Sequence, residues 1–360
     1  MNDAVSLFSG AGGMDVGFIN AGFNIVYANE INKHACATYQ KNLGNHITQA
    51  DIYSELDKLS TFSGIDCVFG GPPCQGFSVA GKMDINDERS HLVKVFMSVV
   101  GTIRPKMFVM ENVKGLATLS KFDAIRADLI KIGFQFGYST DLALFNSKDF
   151  GVPQARERMF LVGLLNRKPF YLADYIKQHQ RPEVTTAEAI THLGRQGSEL
   201  NPKTCNAEVT TAANPVMRKS PYAGMLFNGL GRPLNPDKPC ATLLASMGGS
   251  NTPIIDEEQF FGSGKSWVEE YHRELTLGNP PRDWKSTPNF IRRLTLKEAH
   301  ILHTFPENYI FSGPNSSIYT QIGNAVPCKL AEAVAKATID AYYDVERSMA
   351  TKDQLEMDLV

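Results

Sequence analysis

Over the first 165 residues, six short apolar runs at 4–8, 24–28, 48–50, 66–69, 106–110 and 158–162 alternate with stretches of helical character. This alternation constrains the fold more than any other feature. A strand–helix–strand crossover makes successive strands parallel, and each helix lays its apolar stripe on a face of the sheet. Helical periodicity is clearest over 91–103, where Leu92, Val95, Phe96, Val99 and Val100 share a face, and over 122–132. From about 166 to 289 Pro, Gly, Asn and Ser break the chain into short segments and the periodicity fades. It returns over 294–303 and over 328–345, where Leu330, Val334, Ala337, Ala341 and Val345 form one stripe; residues 346–360 are expected to fray. The expected fold class is α/β, a doubly wound, mostly parallel sheet with a smaller loop-rich module. At 360 residues and 43% hydrophobic content the chain can bury both cores.

The fourth apolar run ends in Phe69-Gly70-Gly71-Pro72-Pro73-Cys74-Gln75-Gly76-Phe77-Ser78. Two glycines and two prolines stop the strand, since proline fixes φ and gives no N–H to a ladder. Cys74 is thereby displayed at a strand's carboxyl edge, where open α/β sheets place their sites. On turn chemistry alone a reactive thiol and an ordinary buried thiol both fit. Cys36, Cys67, Cys205, Cys240 and Cys328 are scattered, with no C-x-x-C pair and no His/Cys cluster at ligand spacing, so a reducing compartment and no metal are expected. There is no basic leader and no apolar run of membrane-spanning length, which predicts a cytoplasmic chain with no membrane role. The net charge of -2 says nothing about partners, and residues 166–289 hold 14 Lys and Arg against 13 Asp and Glu.

Val5-Ser6-Leu7-Phe8 runs into Ser9-Gly10-Ala11-Gly12-Gly13, a glycine-rich strand-to-helix turn, and Glu30 closes the next run, 20 positions after Gly10. Glycines let backbone approach a ligand, and a carboxylate at that distance can accept hydrogen bonds from ribose hydroxyls. The sixth position of G-x-G-x-x-G is Asp15, so the dinucleotide fingerprint fails and a nucleoside without a pyrophosphate fits better. Asp51, after the third run, could bond an exocyclic amine or could simply cap a helix.

Five motifs then follow in order: Phe8-Ser9-Gly10-Ala11-Gly12-Gly13, Gly71-Pro72-Pro73-Cys74-Gln75-Gly76-Phe77-Ser78, Glu111-Asn112-Val113, Gln154-Ala155-Arg156-Glu157-Arg158 and Gln321-Ile322-Gly323-Asn324-Ala325-Val326-Pro327. The chain resembles the DNA (cytosine-5)-methyltransferases of prokaryotic restriction-modification type. The resemblance covers the first 165 residues and about the last 70. It implies a Rossmann-like methyltransferase sheet over 1–165, binding S-adenosylmethionine and completed by 314–360, with 166–313 as target-recognition domain and hinge.

Chemically, it implies that Cys74 attacks cytosine C6, which makes C5 a carbon nucleophile able to accept a methyl group. The ring then needs a group at N3 to supply or share a proton, and Glu111 matches that role. Glu111 ends the apolar run Met107-Phe108-Val109-Met110, and carboxyl groups in apolar surroundings tend toward the protonated form. Strand alternation through Gln154–Arg158 would project Arg156 and Arg158 to one side, where two guanidinium groups could orient phosphate, cytosine O2 and the carboxylate. The implied cofactor residues are Phe8, Gly10, Gly12 and Gly13 around the methionine end, Glu30 on the ribose, Asp51 and Ile52 near adenine, Pro73 beside the sulfonium, and Leu92, Asn324 and Val326. The implied DNA contacts are Gln75, Ser78, Thr242 and Arg292. Residues 79–90 would close over double-stranded DNA as the target base leaves the stack, at a cost of a few kcal/mol. A monomer suffices for this chemistry, and the partner that the resemblance implies besides DNA is a cognate restriction endonuclease acting independently. The rival readings are a transfer-RNA cytosine-5 methyltransferase, a catalytically silent DNA-binding homologue, and a nicotinamide oxidoreductase with a catalytic cysteine, which the failed fingerprint disfavours.

Overall fold

The computed structural model describes residues 2–73, 91–262 and 264–357, with side chains in the last helix up to residue 344. Cys74, Gln75, Ser78 and residues 79–90 lie outside the described residues. The chain forms two compact units. One comprises Met1–Phe150, Glu157–Arg181 and Val326–Val360, the other Gly151–Arg156 and Pro182–Ala325.

The first unit runs β1 (Asn2–Leu7), α1 (Gly13–Asn20), β2 (Phe23–Glu30), α2 (Lys33–Leu43), β3 (Ile47–Gln49), α3 (Leu56–Ser60), β4 (Cys67–Gly70), α4 (Leu92–Ile103), β5 (Met107–Val113), α5 (Lys114–Thr118), α6 (Asp123–Gln135) and β6 (Tyr138–Asn146). The chain gives β7 (Gln154–Ala155) to the second unit and returns as β8 (Glu157–Leu165) and α7 (Leu172–Ile176). The seven-stranded sheet has the order β3-β2-β1-β4-β5-β8-β6. Its first five strands are parallel, while β8 lies antiparallel between β5 and β6. Strand order reverses between β1 and β4, and ligands of open α/β sheets bind at such a switch point. Alternation along the central strands separates two cores. Phe69, Val109, Phe160 and Val162 face one side with Phe18, and Val68, Phe108, Met110 and Leu161 face the other with Phe96 and Val100. The run pattern did not disclose β6, which is only partly buried over most of its length and lies at the sheet edge.

The second unit is built from short pieces: α8 (Thr186–Ile190), β9 (Thr211–Val216), β10 (Met225–Phe227), β11 (Cys240–Ala241), β12 (Ile254–Asp256), α9 (Glu257–Phe261), α10 (Trp267–Thr276), β13 (Ile291–Arg293), α11 (Leu296–Leu302) and α12 (Asn315–Asn324). Its strands pair only in twos, as β9 with β10, β7 with β11 and β12 with β13. Buried polar clamps add to its apolar cores. Arg292 is 7% exposed; its Nε donates to Glu257 at 2.7 Å and its two terminal nitrogens hold Glu298 at 2.8 and 2.7 Å. Glu298 also closes a capping box with Thr295 at the start of α11 and accepts from Asn201 at 2.9 Å. Arg292 was expected among the DNA contacts, within a stretch that the resemblance also reads as organising this module. Its guanidinium is instead buried and held by two carboxylates, so it braces the unit.

After the second unit, α13 (Cys328–Met357) returns to the first. It continues through residues where fraying was expected. Gly17 of α1 permits the close approach: a Cβ there would lie 2.5 Å from the Ala331 Cβ and 2.6 Å from the Cys328 carbonyl. Leu330, Val334, Ala337 and Ala341 of the expected stripe are buried in this core. No helix among the described residues is long and apolar enough to cross a membrane.

Candidate active site

The turn after β1 winds through left-handed conformations, with φ of +54° at Phe8, +55° at Gly10 and +84° at Gly12. The glycines take these angles without strain, and a Cβ on Gly10 would meet open space, so backbone there is accessible to a ligand. Ser9 anchors the turn, its N–H donating to the Asn29 carbonyl at 3.0 Å and its hydroxyl to the same oxygen at 3.2 Å. Glu30 braces it from β2: Oε2 accepts the Gly10 N–H at 2.9 Å and Oε1 the Asn32 N–H at 2.7 Å. Burial pushes the Glu30 carboxyl up in pKa, against the backbone donors that pull it down. Asp51 caps a short 3₁₀ turn by accepting the Tyr53 N–H at 3.0 Å, and Ile52 beside it is buried. The capping alternative for Asp51 is thus realised.

Beneath this turn lies a residue that the sequence reading used only as a departure from a glycine pattern. Asp15 is fully buried, and the Tyr39 hydroxyl donates to its Oδ1 at 2.9 Å while standing 3.0 Å from His46 Nε2. With its hydrogen on Asp15, the hydroxyl accepts from His46, whose pKa burial lowers. Burial raises the Asp15 carboxyl from 3.8 to about 7, outweighing bonds from Ser6 and Tyr39. An acid whose folded pKa is raised destabilises the fold as it ionises. Stability is therefore lost as pH climbs from about 4 to about 7 and stays lost above that. Asp15→Asn keeps an acceptor for Tyr39 and removes the charge. In urea titrations it should gain stability at pH 8, up to roughly 4 kcal/mol by the size of the shift, and gain little at pH 4.

The next edge is formed by β4 and β5, whose register pairs Gly70 with Met110 and, on the other side of β4, with Leu7. Glu111 thus emerges beside the segment leading to Cys74. A Cβ on Gly71 would stand 2.9 Å from Glu111 Oε2, so glycine leaves the carboxylate room to lie against the chain. Asn112 Nδ2 donates to the Pro72 carbonyl at 3.2 Å and fixes the start of the Pro72-Pro73 turn. Because β8 is antiparallel, its first residues reach the same edge, and Arg158 Nε lies 2.8 Å from Glu111 Oε1. The apolar strand suggested a protonated acid, and the structure adds a guanidinium partner for its ionised form. Leu92 opens α4 half-buried, and Val326 is buried at the start of the returning segment.

Arg156 does not continue the alternation toward Arg158. It falls in the break between β7 and β8, within the second unit, 1% exposed. Its Nη1 donates to the Leu243 carbonyl and its Nη2 to the Gly323 carbonyl, each at 2.9 Å. Thr242 donates its hydroxyl to the Ala155 carbonyl at 3.0 Å, alongside the β7–β11 pairing. Asn324 is exposed at the end of α12.

Sheet order, glycine turn and carboxylate edge define a Rossmann-like α/β enzyme of methyltransferase type. The crystal structure of Schizosaccharomyces pombe Dnmt2 methyltransferase shares the fold at a TM-score of 0.65 and 18% identity, over 96% of this chain and 99% of that one. The chain belongs to the C-5 cytosine-specific DNA methylases, whose family profile matches residues 3–340. Type II methyltransferase M1.HphI of Haemophilus parahaemolyticus is 32% identical over 345 residues, 93% of this chain and 86% of its own. Type II methyltransferase M.MthTI of Methanothermobacter thermautotrophicus is 31% identical over 336 residues, 93% of this chain and 96% of its own. The protein is a DNA (cytosine-5)-methyltransferase with S-adenosylmethionine as methyl donor, as its motif order implied.

Proposed function

We propose that the chain methylates C5 of a cytosine flipped out of a specific short sequence in double-stranded DNA, through a transient bond between Cys74 Sγ and C6. The observation that carries this reading is the Glu111 carboxylate, paired with Arg158 at 2.8 Å and lying against Gly71 on the way to Cys74. Cys74 adds as thiolate to C6, while Glu111 in its protonated form supplies or shares the proton at N3 that lets the ring accept the electron pair, and takes it back when Cys74 leaves. Arg158 orients that carboxylate. S-adenosylmethionine, when bound, would supply an electrophilic methyl group to C5 and leave as S-adenosylhomocysteine. Loss of the C5 proton to a base or to solvent then restores the double bond and expels Cys74.

The turn from Phe8 to Gly13, open at Gly10, suits the methionine end of the cofactor, Glu30 its ribose, Asp51 and Ile52 its adenine, and Pro73 its sulfonium, with Leu92, Asn324 and Val326 as the further proposed cofactor residues. Glu30 keeps acceptor capacity on both oxygens for ribose hydroxyls. The first unit is then the catalytic domain and the second the target-recognition domain. Gln75, Ser78 and Thr242 are the proposed DNA contacts, with Arg156, buried and held by two backbone carbonyls, bracing the stretch that carries Thr242. The relatives named Type II methyltransferase support a restriction-modification setting; the proposed working form is a monomer on DNA in the cytoplasm, with any endonuclease acting separately.

The test is incubation of purified protein with S-adenosylmethionine and unmethylated DNA, with a transfer-RNA pool in parallel, followed by base-resolution mapping of 5-methylcytosine. Methylation confined to one short DNA motif is expected. Label only in RNA would assign the other substrate class, and none in either would indicate a silent homologue.

A further inference from the structure

Three segments distant in the chain meet in the second unit around a buried imidazole. His303 follows the last turn of α11 and is fully buried. Its Nε2 lies 2.9 Å from the Ala325 carbonyl oxygen, and its Nδ1 lies 3.1 Å from Gln154 Nε2. A carbonyl only accepts, so Nε2 carries the hydrogen and Nδ1 takes one from the Gln154 amide. That amide is oriented from its other end, where Oε1 accepts the Leu243 N–H at 3.0 Å. Turning it over would set its NH₂ against that N–H. The network therefore admits one imidazole tautomer.

The segments joined by His303 are those that hold Arg156. Leu243 gives its N–H to Gln154 and its carbonyl to Arg156, while the 323–325 stretch gives one carbonyl to Arg156 and one to His303. The stretches pack without a gap: a Cβ on Gly323 would stand 2.4 Å from the Leu244 carbonyl oxygen and 2.5 Å from the Ala245 nitrogen. We propose that His303 is a positioning residue for methyl transfer. Through Gln154 and Ala325 it fixes the two carbonyls that hold the Arg156 guanidinium and the helix end that carries Asn324. The inference rests on the roles proposed above for Arg156 and Asn324.

Two readouts test it. In protein labelled with ¹⁵N-histidine, the imidazole signal that disappears in His303→Gln should report the Nε2–H tautomer at pH 7.5. The Nδ1–H tautomer or an imidazolium there overturns the inference, whatever the chain methylates. In the methylation assay, His303→Leu strands the Gln154 amide and the Ala325 carbonyl and should lower kcat about tenfold to a hundredfold. His303→Gln, with an amide oxygen to accept and an NH₂ to donate, should stay within about threefold of wild type at an unchanged Tm. Wild-type turnover in His303→Leu overturns the inference, as does a folded His303→Gln whose kcat falls as far as that of the leucine variant. A wild-type chain inactive on DNA instead overturns the proposed reaction, and the tautomer signal still decides the hydrogen-bond geometry.

Discussion

Cys74→Ala is expected to abolish methyl transfer, with turnover falling by more than about a thousandfold, because no other group in the proposed site can add to C6. Without that addition C5 is an aromatic carbon with little nucleophilicity, and a bound methyl donor meets nothing able to attack it. The remaining cysteines offer no substitute: Cys36, Cys67, Cys205, Cys240 and Cys328 are all buried. Burial pushes the Cys36 thiol up to about 12 and raises those of Cys67, Cys240 and Cys328 well above the ordinary thiol range, which keeps them protonated. Binding of S-adenosylhomocysteine, measured by calorimetry, should be nearly unchanged, since the glycine turn and Glu30 do not depend on the thiol. Residual turnover within tenfold of wild type would remove Cys74 from the mechanism.

Glu111→Gln should slow single-turnover methyl transfer by about 10²–10⁴-fold while the protein stays folded. Glutamine fills the same space against Gly71 and can still donate to N3, but it has no proton to give up and no charge for Arg158. The contrast with Arg158→Lys is informative. Lysine keeps the charge and loses the planar fork, so it should cost less than the glutamine change if Arg158 serves mainly to orient the carboxylate. Rates for Glu111→Gln close to wild type would exclude Glu111 from the chemistry.

The parts of the fold legible in the sequence are those set by local pattern. The apolar runs at 4–8, 24–28, 66–69 and 106–110 fall on β1, β2, β4 and β5, because strands buried on both faces leave continuous apolar stretches. The edge strand β6 buries little of its length and left no such run. The placement of β8 between β5 and β6 depends on pairing across the chain, which no local pattern encodes. The site divides in the same way. Gly71 and Glu111 were visible as motif residues, but the reason for the glycine, room for Oε2, appears only when β4 and β5 lie side by side. Arg156 and Arg158 looked alike in a strand of alternating side chains, yet one meets carbonyls 87 and 167 positions away and the other meets a carboxylate. Asp15, His303 and Arg292 have meaning only through buried partners supplied by other segments, so tertiary structure was needed to read them.

The most direct measurement uses DNA carrying the mapped recognition sequence with 5-fluorocytosine at the target position. Fluorine replaces the C5 proton and cannot leave as a cation, so a chain that attacks C6 and transfers its methyl group should remain bonded to the DNA. With S-adenosylmethionine present, denaturing electrophoresis and intact mass should show a one-to-one protein–DNA adduct that maps to Cys74 and is absent from Cys74→Ala. Methylation of ordinary DNA without any adduct on the fluorinated strand, or an adduct that persists in Cys74→Ala, would contradict the mechanism.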